Sequence, residues 1–335
     1  MLGAVLARLN NPNLKWAKTD NFGLGMDIGF WKNRINMSLN YYNNITRQLL
    51  TTYDMMPSTG FSSQVINAGE LQNQGFDMTL NVIALQNVRK QFYWTVAAGI
   101  NHNKNKIRKI SDYLRKMNEK QLASPSAPLP VFQEGQSTTT YYAVRSLGID
   151  PMTGKEVFLT RDNQKAFVWD AADKVPVGDT TPDASGTLST SVNWKNFSAS
   201  LGFTYKWGGI VYNQTLVDKI ENSNIAYNLD RRAAKDRWQK PGDVAKYKKI
   251  DLNGSQTPAS TRFIMDDNEL KLASLNVGYR FNYENFKFMK RLNLQALNVN
   301  FTTNDLFRMS TVKMERGLSY PFARSFTFSV SAIFK

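Results

Sequence analysis

Apolar and polar residues alternate one by one along most of this chain, and in a strand that pattern sends successive side chains to opposite faces. Phe22, Leu24, Met26, Ile28 and Phe30 share one parity, against Gly23, Gly25, Asp27 and Gly29 on the other. After a short turn at Lys32 and Asn33 the pattern restarts with Ile35, Met37, Leu39 and Tyr41, so the two segments read as a hairpin. A second hairpin follows over residues 76–84 and 92–100, joined by a polar turn at 86–91. A third runs from Thr190, Val192 and Trp194 through Lys195 and Asn196 into Phe197, Ala199, Leu201, Phe203 and Tyr205. Residues 270–281 and 292–302 also alternate, each slipping phase once, at Ser274 and at Ala296 and Leu297, where the pattern predicts bulges. The last strand carries Phe326, Phe328, Val330, Ala332 and Phe334 on one face.

These segments run about 9 to 13 residues, longer than the usual globular strand of about 5 to 6 and matched to the roughly 9 to 11 that cross a bilayer at a tilt. Their connections alternate between brief turns and long stretches, the asymmetry of an outer-membrane barrel with short periplasmic turns and long extracellular loops. Aromatic residues near strand ends (Trp31, Tyr41, Tyr42, Trp94, Trp194, Trp207) suit interfacial girdles or a packed core. The fold class expected is therefore all-β, a transmembrane antiparallel barrel. A soluble β-sandwich, as an adhesin or binding module, also alternates and is the competing reading.

Composition removes other classes. The 335 residues contain no Cys and one His, so a disulfide framework, thiolate metal sites and paired-histidine zinc sites are excluded. No run of 18 apolar residues supports a membrane helix, and residues 1–10 carry no recognisable export signal. The net charge of +15 raises nucleic acid as a partner, but the basic residues are scattered and no recognition module occurs. Attraction to anionic lipid headgroups fits better. Asp251, Asn253 and Ser255 imitate the start of a calcium loop, yet Gly254 and Arg262 stand at the wrong places for its glycine and closing glutamate. Asp266 and Asp267 read as a loop turn, and His102 has no Ser or Asp at a catalytic spacing. No cofactor motif is present.

Helical texture is confined to residues 106–122, where Ile107, Ile110, Leu114 and Met117 hold helical spacing. Pro125, Pro128 and Pro130 then predict an extended run before a strand at about Thr138. Residues 227–247 form a charged stretch with Asp230, Arg231, Arg232, Asp236, Arg237 and Trp238 before a Pro241-Gly242-Asp243 turn. It reads as a solvated loop or as one that meets a ligand or partner.

Several short motifs, in their order, carry a resemblance. They are Asn11-Pro12-Asn13-Leu14-Lys15-Trp16, Asn33-Arg34-Ile35 leading to Tyr41-Tyr42-Asn43, and Asn67-Ala68-Gly69 with Asn73-Gln74-Gly75-Phe76. Gly148-Ile149-Asp150-Pro151 with Thr153-Gly154, Val177-Gly178-Asp179 with Pro182, Arg237-Trp238 with Pro241-Gly242-Asp243, and Tyr320-Pro321 complete the series. Together they resemble the C-terminal portion of SusC/RagA-like TonB-dependent outer-membrane transporters, nearly end to end. Phe334, followed by Lys335, resembles the aromatic end read by the family's assembly machinery.

The resemblance implies a barrel of about 22 strands around a plug, with residues 1–335 supplying roughly the second half and no plug. It implies an energised importer of glycan oligosaccharides or peptides in a Gram-negative outer membrane, working with a SusD-like lipoprotein, with the TonB complex acting through the absent N-terminal part. Catalysis is not expected. An outer-membrane hydrolase using His102 as base is the enzyme alternative. For a glycan ligand, aromatic rings on loops would stack on sugar faces, which singles out Tyr212, Tyr227 and Trp238, with Asp230 and Arg237 as polar partners; ordinary loop packing explains the same residues.

Overall fold

The computed structural model describes residues 9–124, 131–224, 226–250, 256–283, 286–291, 293–313 and 324–334. In chain order its strands are β1 (Lys18–Phe30), β2 (Ile35–Asp54), β3 (Ser63–Asn87), β4 (Phe92–Ile110), β5 (Thr140–Ile149), β6 (Glu156–Leu159), β7 (Lys165–Ala166), β8 (Lys174–Asp179), β9 (Ala184–Trp194), β10 (Phe197–Trp207), β11 (Ile210–Tyr212), β12 (Ile264–Asp266), β13 (Glu269–Asn282), β14 (Leu294–Ser310) and β15 (Phe326–Phe334). Helices are short: α1 (Asp112–Ala123), α2 (Gln214–Leu216), α3 (Arg231–Lys235) and α4 (Lys287–Arg291).

Nine strands form one antiparallel sheet in the order β1-β2-β3-β4-β9-β10-β13-β14-β15. Registration carries the alternation from strand to strand. One row crosses the whole sheet through Phe30, Ile35, Val82, Val96, Thr190, Leu201, Leu275, Thr303 and Phe326. The neighbouring row on the other face reads Gly29, Asn36, Asn81, Ala97, Ser189, Gly202, Ser274 and Asn304. A one-residue slip in any strand would turn its apolar set to the polar side, so the two faces hold the register. Leu24, Trp94, Leu188, Trp194, Trp207, Phe307 and Phe328 stand exposed on the apolar side. No second sheet covers them among the described residues, which is the arrangement of a curved barrel wall and not of a sandwich. The sheet is open, with β1 and β15 at its edges.

All short turns lie at one end. Arg34 N–H closes the first on the Phe30 carbonyl at 3.0 Å, and Lys195 N–H ties the third to the Gln91 carbonyl at 2.9 Å. The long connections lie at the other end, where β2 and β3 run far past the apolar height. Just past it both faces turn polar, as at Asn43-Asn44 and Gln72-Asn73-Gln74, and the apolar residues beyond, such as Leu49, Leu50, Ile66 and Leu71, follow no two-residue period, so alternation had marked only the inner halves.

Three expectations shift. Both bulges occur, at Ala273 between Leu272 and Ser274 and at Gln295 between Leu294 and Ala296, one residue from the phase slips that predicted them. The helix is corrected: residues 106–110 continue β4, and α1 starts at Asp112 after Ser111, whose side chain accepts from Leu114 N–H. A register shift between Ile107 and Lys109 brings both Ile107 and Ile110 to the buried face, and that three-residue interval imitates a helical period. The strand expected at about Thr138 begins at Thr140. The Pro125, Pro128 and Pro130 run, the calcium-like Asp251, Asn253 and Ser255, and the Tyr320-Pro321 and Lys335 positions lie outside the described residues.

Candidate functional site

Two long loops, residues 111–183 between β4 and β9 and residues 208–268 between β10 and β13, fold together into a lobe at the loop end of the sheet. The first supplies a small sheet in the order β7-β6-β5-β8, the second the β11-β12 pair. Tyr212, Leu216, Val217, Ile220, Ala233, Tyr247, Ala259 and Phe263 make the lobe's core. Backbone and side chains stitch one loop to the other: Ser146 N–H donates to Thr261 Oγ1 at 2.9 Å, Trp169 Nε1 to the Ala259 carbonyl at 3.0 Å, and Lys249 N–H to the Gly154 carbonyl at 3.0 Å.

Charge sits inside this join. Arg262 donates to Glu156 Oε2 at 2.9 Å and to Glu221 Oε1 at 2.5 Å, while Ser260 Oγ donates to Glu156 Oε1 at 2.6 Å. Burial works against the Arg262 cation, but its bonds to Glu221 and Glu156 outweigh that and raise its pKa. The Tyr212 hydroxyl is pushed well above its ordinary range by burial first and by the Glu156 charge second.

The five residues expected at a ligand do not share one surface. Tyr212, on β11, is in the core with its ring edge-on to Phe263, 6.3 Å between centroids. Arg237 is likewise buried; it donates to the carbonyls of Ala233 (2.7 Å), Lys248 (2.8 Å) and Glu221 (3.0 Å), closing the 208–268 loop on itself. Trp238 is half-buried, and its Nε1 donates to the Pro151 carbonyl of the other loop at 2.8 Å. Gly154, at φ +67°, lies under that indole, where a Cβ would stand 2.5 Å from Trp238 Cδ2. Asp230 caps α3, accepting from Arg232 N–H at 2.9 Å and pairing with the Arg232 side chain, which holds its carboxyl below the usual range. Tyr227, 75% exposed, faces solvent. His102 Nδ1 meets the Asp183 carbonyl at 2.5 Å and its ring lies 5.5 Å from Phe76, with no nucleophile in contact among the described residues.

Between the loops a cleft of about 530 Å³ is walled by Phe158, Phe167, Trp169 and Pro258, with Lys155 and Lys249 at its edge. Sequence reading missed this cleft and the Glu156, Glu221 and Arg262 cluster. Arg262 had drawn notice only as the residue that spoils a calcium pattern. The one available signal was the surplus of apolar and aromatic residues in a loop too long to be purely solvated.

A family model described as TonB dependent receptor-like, beta-barrel, matches residues 3–300. The chain belongs to this family. Among its relatives, TonB-dependent receptor P3 of Formosa agariphila is 27% identical over 302 residues, taking in 83% of this chain and 28% of that protein. TonB-dependent receptor SusC of Bacteroides thetaiotaomicron is 26% identical over 286 residues, 81% of this chain and 27% of its own length. The RagAB peptide transporter shares the fold, with a TM-score of 0.74 at 21% identity over 91% of this chain and 33% of that one. The chain thus spans about a third or less of the proteins it matches. TonB-dependent receptor barrels are receptors of the Gram-negative outer membrane and not enzymes. The apolar face is accordingly the lipid face, the loop end extracellular and the short-turn end periplasmic.

Proposed function

We propose that this chain forms part of the wall and outer vestibule of an energised importer that admits glycan oligosaccharides or peptides. The observation that carries the reading is the coupling of a lipid-facing nine-stranded sheet to a lobe made by two cross-linked extracellular loops. A barrel wall needs only alternation. A lobe with its own core and a buried ionic tie is a fixed surface, suited to holding a ligand or a lid protein in place. The printed names of the relatives support import: SusC is called a TonB-dependent receptor, and RagAB a peptide transporter.

In this reading the lobe faces a SusD-like lipoprotein across the ligand, and the TonB complex energises the complete receptor. Tyr227 and the Phe167, Trp169 cleft offer separate aromatic surfaces for sugar rings or peptide side chains; Trp238 packs on Gly154, which lines that cleft, and Asp230 stands three residues along the second loop from Tyr227. Tyr212 and Arg237 act behind them by holding the loop. Uptake of labelled oligosaccharides and peptides by cells with and without the receptor carrying this chain tests the proposal. The expected result is uptake that needs the receptor and stops when the proton gradient is dissipated. Uptake that survives deletion, or that persists without the gradient, would overturn it.

A further inference from the structure

The lipid face of β4 ends abruptly in positive charge. Val96, Ala98 and Ile100 point outward; then the same face continues through His102, Lys104 and Lys106, and beyond a register shift that takes in Arg108 it carries Lys109. Register fixes this side. His102 pairs with Phe76, Lys104 with Gln74, Lys106 with Gln72 and Lys109 with Glu70, and Phe76 shares its parity with the outward Met78 and Leu80 of β3.

Height matters next. From Phe92 to His102 the strand rises about 33 Å, or about 25 Å along the barrel axis at a tilt near 40°, which is the height of the apolar band of an outer-membrane barrel. Lys104 and Lys106 therefore stand within about 10 Å of the band's outer edge, in the headgroup layer, with Arg108 and Lys109 just above. Strand β10 agrees: its outward series opens on Phe197 and closes on Trp207, the same ten-residue span between aromatic positions.

All four cations are exposed. Elsewhere on the sheet Arg47 pairs with Asp20, Lys206 with Asp267, Lys271 with Asp305 and Arg308 with Glu269. Lys104, Lys106, Arg108 and Lys109 have no carboxylate within ion-pair distance among the described residues, and Glu70 is the one acid in register with them. The next outward positions, Asn43 and Ile45 of β2, are neutral. Lys104 and Lys106, about 7 Å apart, and Lys109 beyond the register shift that holds Arg108 form a run of unpaired cations directly above a lipid-facing surface, complementary to an anionic headgroup carrying more than one phosphate.

We propose that Lys104, Lys106, Arg108 and Lys109 bind the phosphorylated headgroup of an outer-leaflet lipid, whose acyl chains lie on Leu80, Met78, Ala98 and Ile100 below. The site rests on the lipid face of the sheet and is independent of what the receptor imports.

The test measures lipid binding to the purified receptor in detergent by native mass spectrometry. The probes are lipid A with its two phosphates, the same lipid without them, and inorganic phosphate as competitor. The expected result is binding of the phosphorylated lipid only, weakened at least about 10-fold in K104Q/K106Q/R108Q/K109Q and kept in K104R/K106R/K109R. Equal binding by the glutamine variant, equal binding of the phosphate-free lipid, or displacement by millimolar inorganic phosphate would overturn it. If the glutamine variant fails to form β-structure, raising salt on the unaltered receptor decides: binding should fall steeply, and binding indifferent to salt contradicts the proposal.

Discussion

Arg262, just before β12, holds Glu156 of β6 at 2.9 Å across 106 residues of chain, and both side chains are almost wholly removed from solvent. The pair spans the two extracellular loops, and Glu221 of the second loop shares the same guanidinium. Taking two carboxylates out of water is costly, and only the cation between them makes the arrangement tolerable.

Arg262→Ala should therefore leave two buried carboxylates uncompensated and loosen the lobe by about 3 to 5 kcal/mol. Hydrogen exchange read peptide by peptide checks this: protection should drop in β5, β6 and β12 and stay unchanged in β9 and β10. A drop spread evenly over the sheet would contradict the assigned role.

That tie also shows where sequence reading stops. The inner halves of the long strands were legible because lipid on one face and water on the other impose a strict two-residue period, as in Ile35, Met37 and Leu39. Past the membrane both faces meet water, so the outer reaches of β2 and β3 carry no period, and their extent appeared only in the pairing. The lobe is stabilised by isolated contacts between side chains and distant or looped-back chain, such as Arg262 on two acids and Arg237 on four carbonyls, and no periodic pattern marks such residues as buried. Tyr212 and Arg237 were singled out for chemistry that suits a ligand, and the same chemistry suits satisfying a buried core.

Opposite faces of β2 should respond differently to charge. Leu39 lies between Met26 and Met78 on the lipid face, and Leu39→Arg should cost about 2 to 4 kcal/mol near mid-membrane. Ser38 lies between Asp27 and Thr79 on the other face, and Ser38→Arg should cost much less, with Asp27 at hand to pair. Urea titration of folding into lipid vesicles separates the two; equal costs would mean that the faces are misassigned.

Gly154 combines a left-handed backbone with an indole at van der Waals contact. Gly154→Ala should cost about 1 to 2 kcal/mol from backbone strain alone, with more from the displaced ring. The difference in fluorescence between Gly154→Ala receptors with and without Trp238→Phe reports the ring directly, and an unchanged Trp238 emission would refute the contact.

Asp179 should make the base of the first loop acid-sensitive. Its carboxylate accepts from Thr139 Oγ1 at 2.5 Å and Thr181 N–H at 2.9 Å; burial opposes the charge, yet these bonds prevail and lower its pKa. The unfolded loop thus binds the proton more readily than the folded one, so the stabilisation is full above about pH 4 and is lost as pH falls through the lowered native value. Hydrogen-exchange protection at β5 and β8, taken relative to the intrinsic rate at each pH, should fall in acid for the unaltered chain and show a weaker acid response in Asp179→Asn.

Residues 1–335 contain no cysteine, so a single cysteine placed along β10 is the one thiol of this stretch, and the receptor without it serves as the background control. Positions 198 to 204, labelled in intact outer membranes with a charged thiol reagent and with a lipid-soluble one, test the lipid-facing wall most directly. Ala199, Leu201 and Phe203 should react only with the lipid-soluble reagent, and Ser200, Gly202 and Thr204 should lack that lipid signature, giving a two-residue period. Uniform reaction of all positions with the charged reagent would contradict a membrane-spanning sheet.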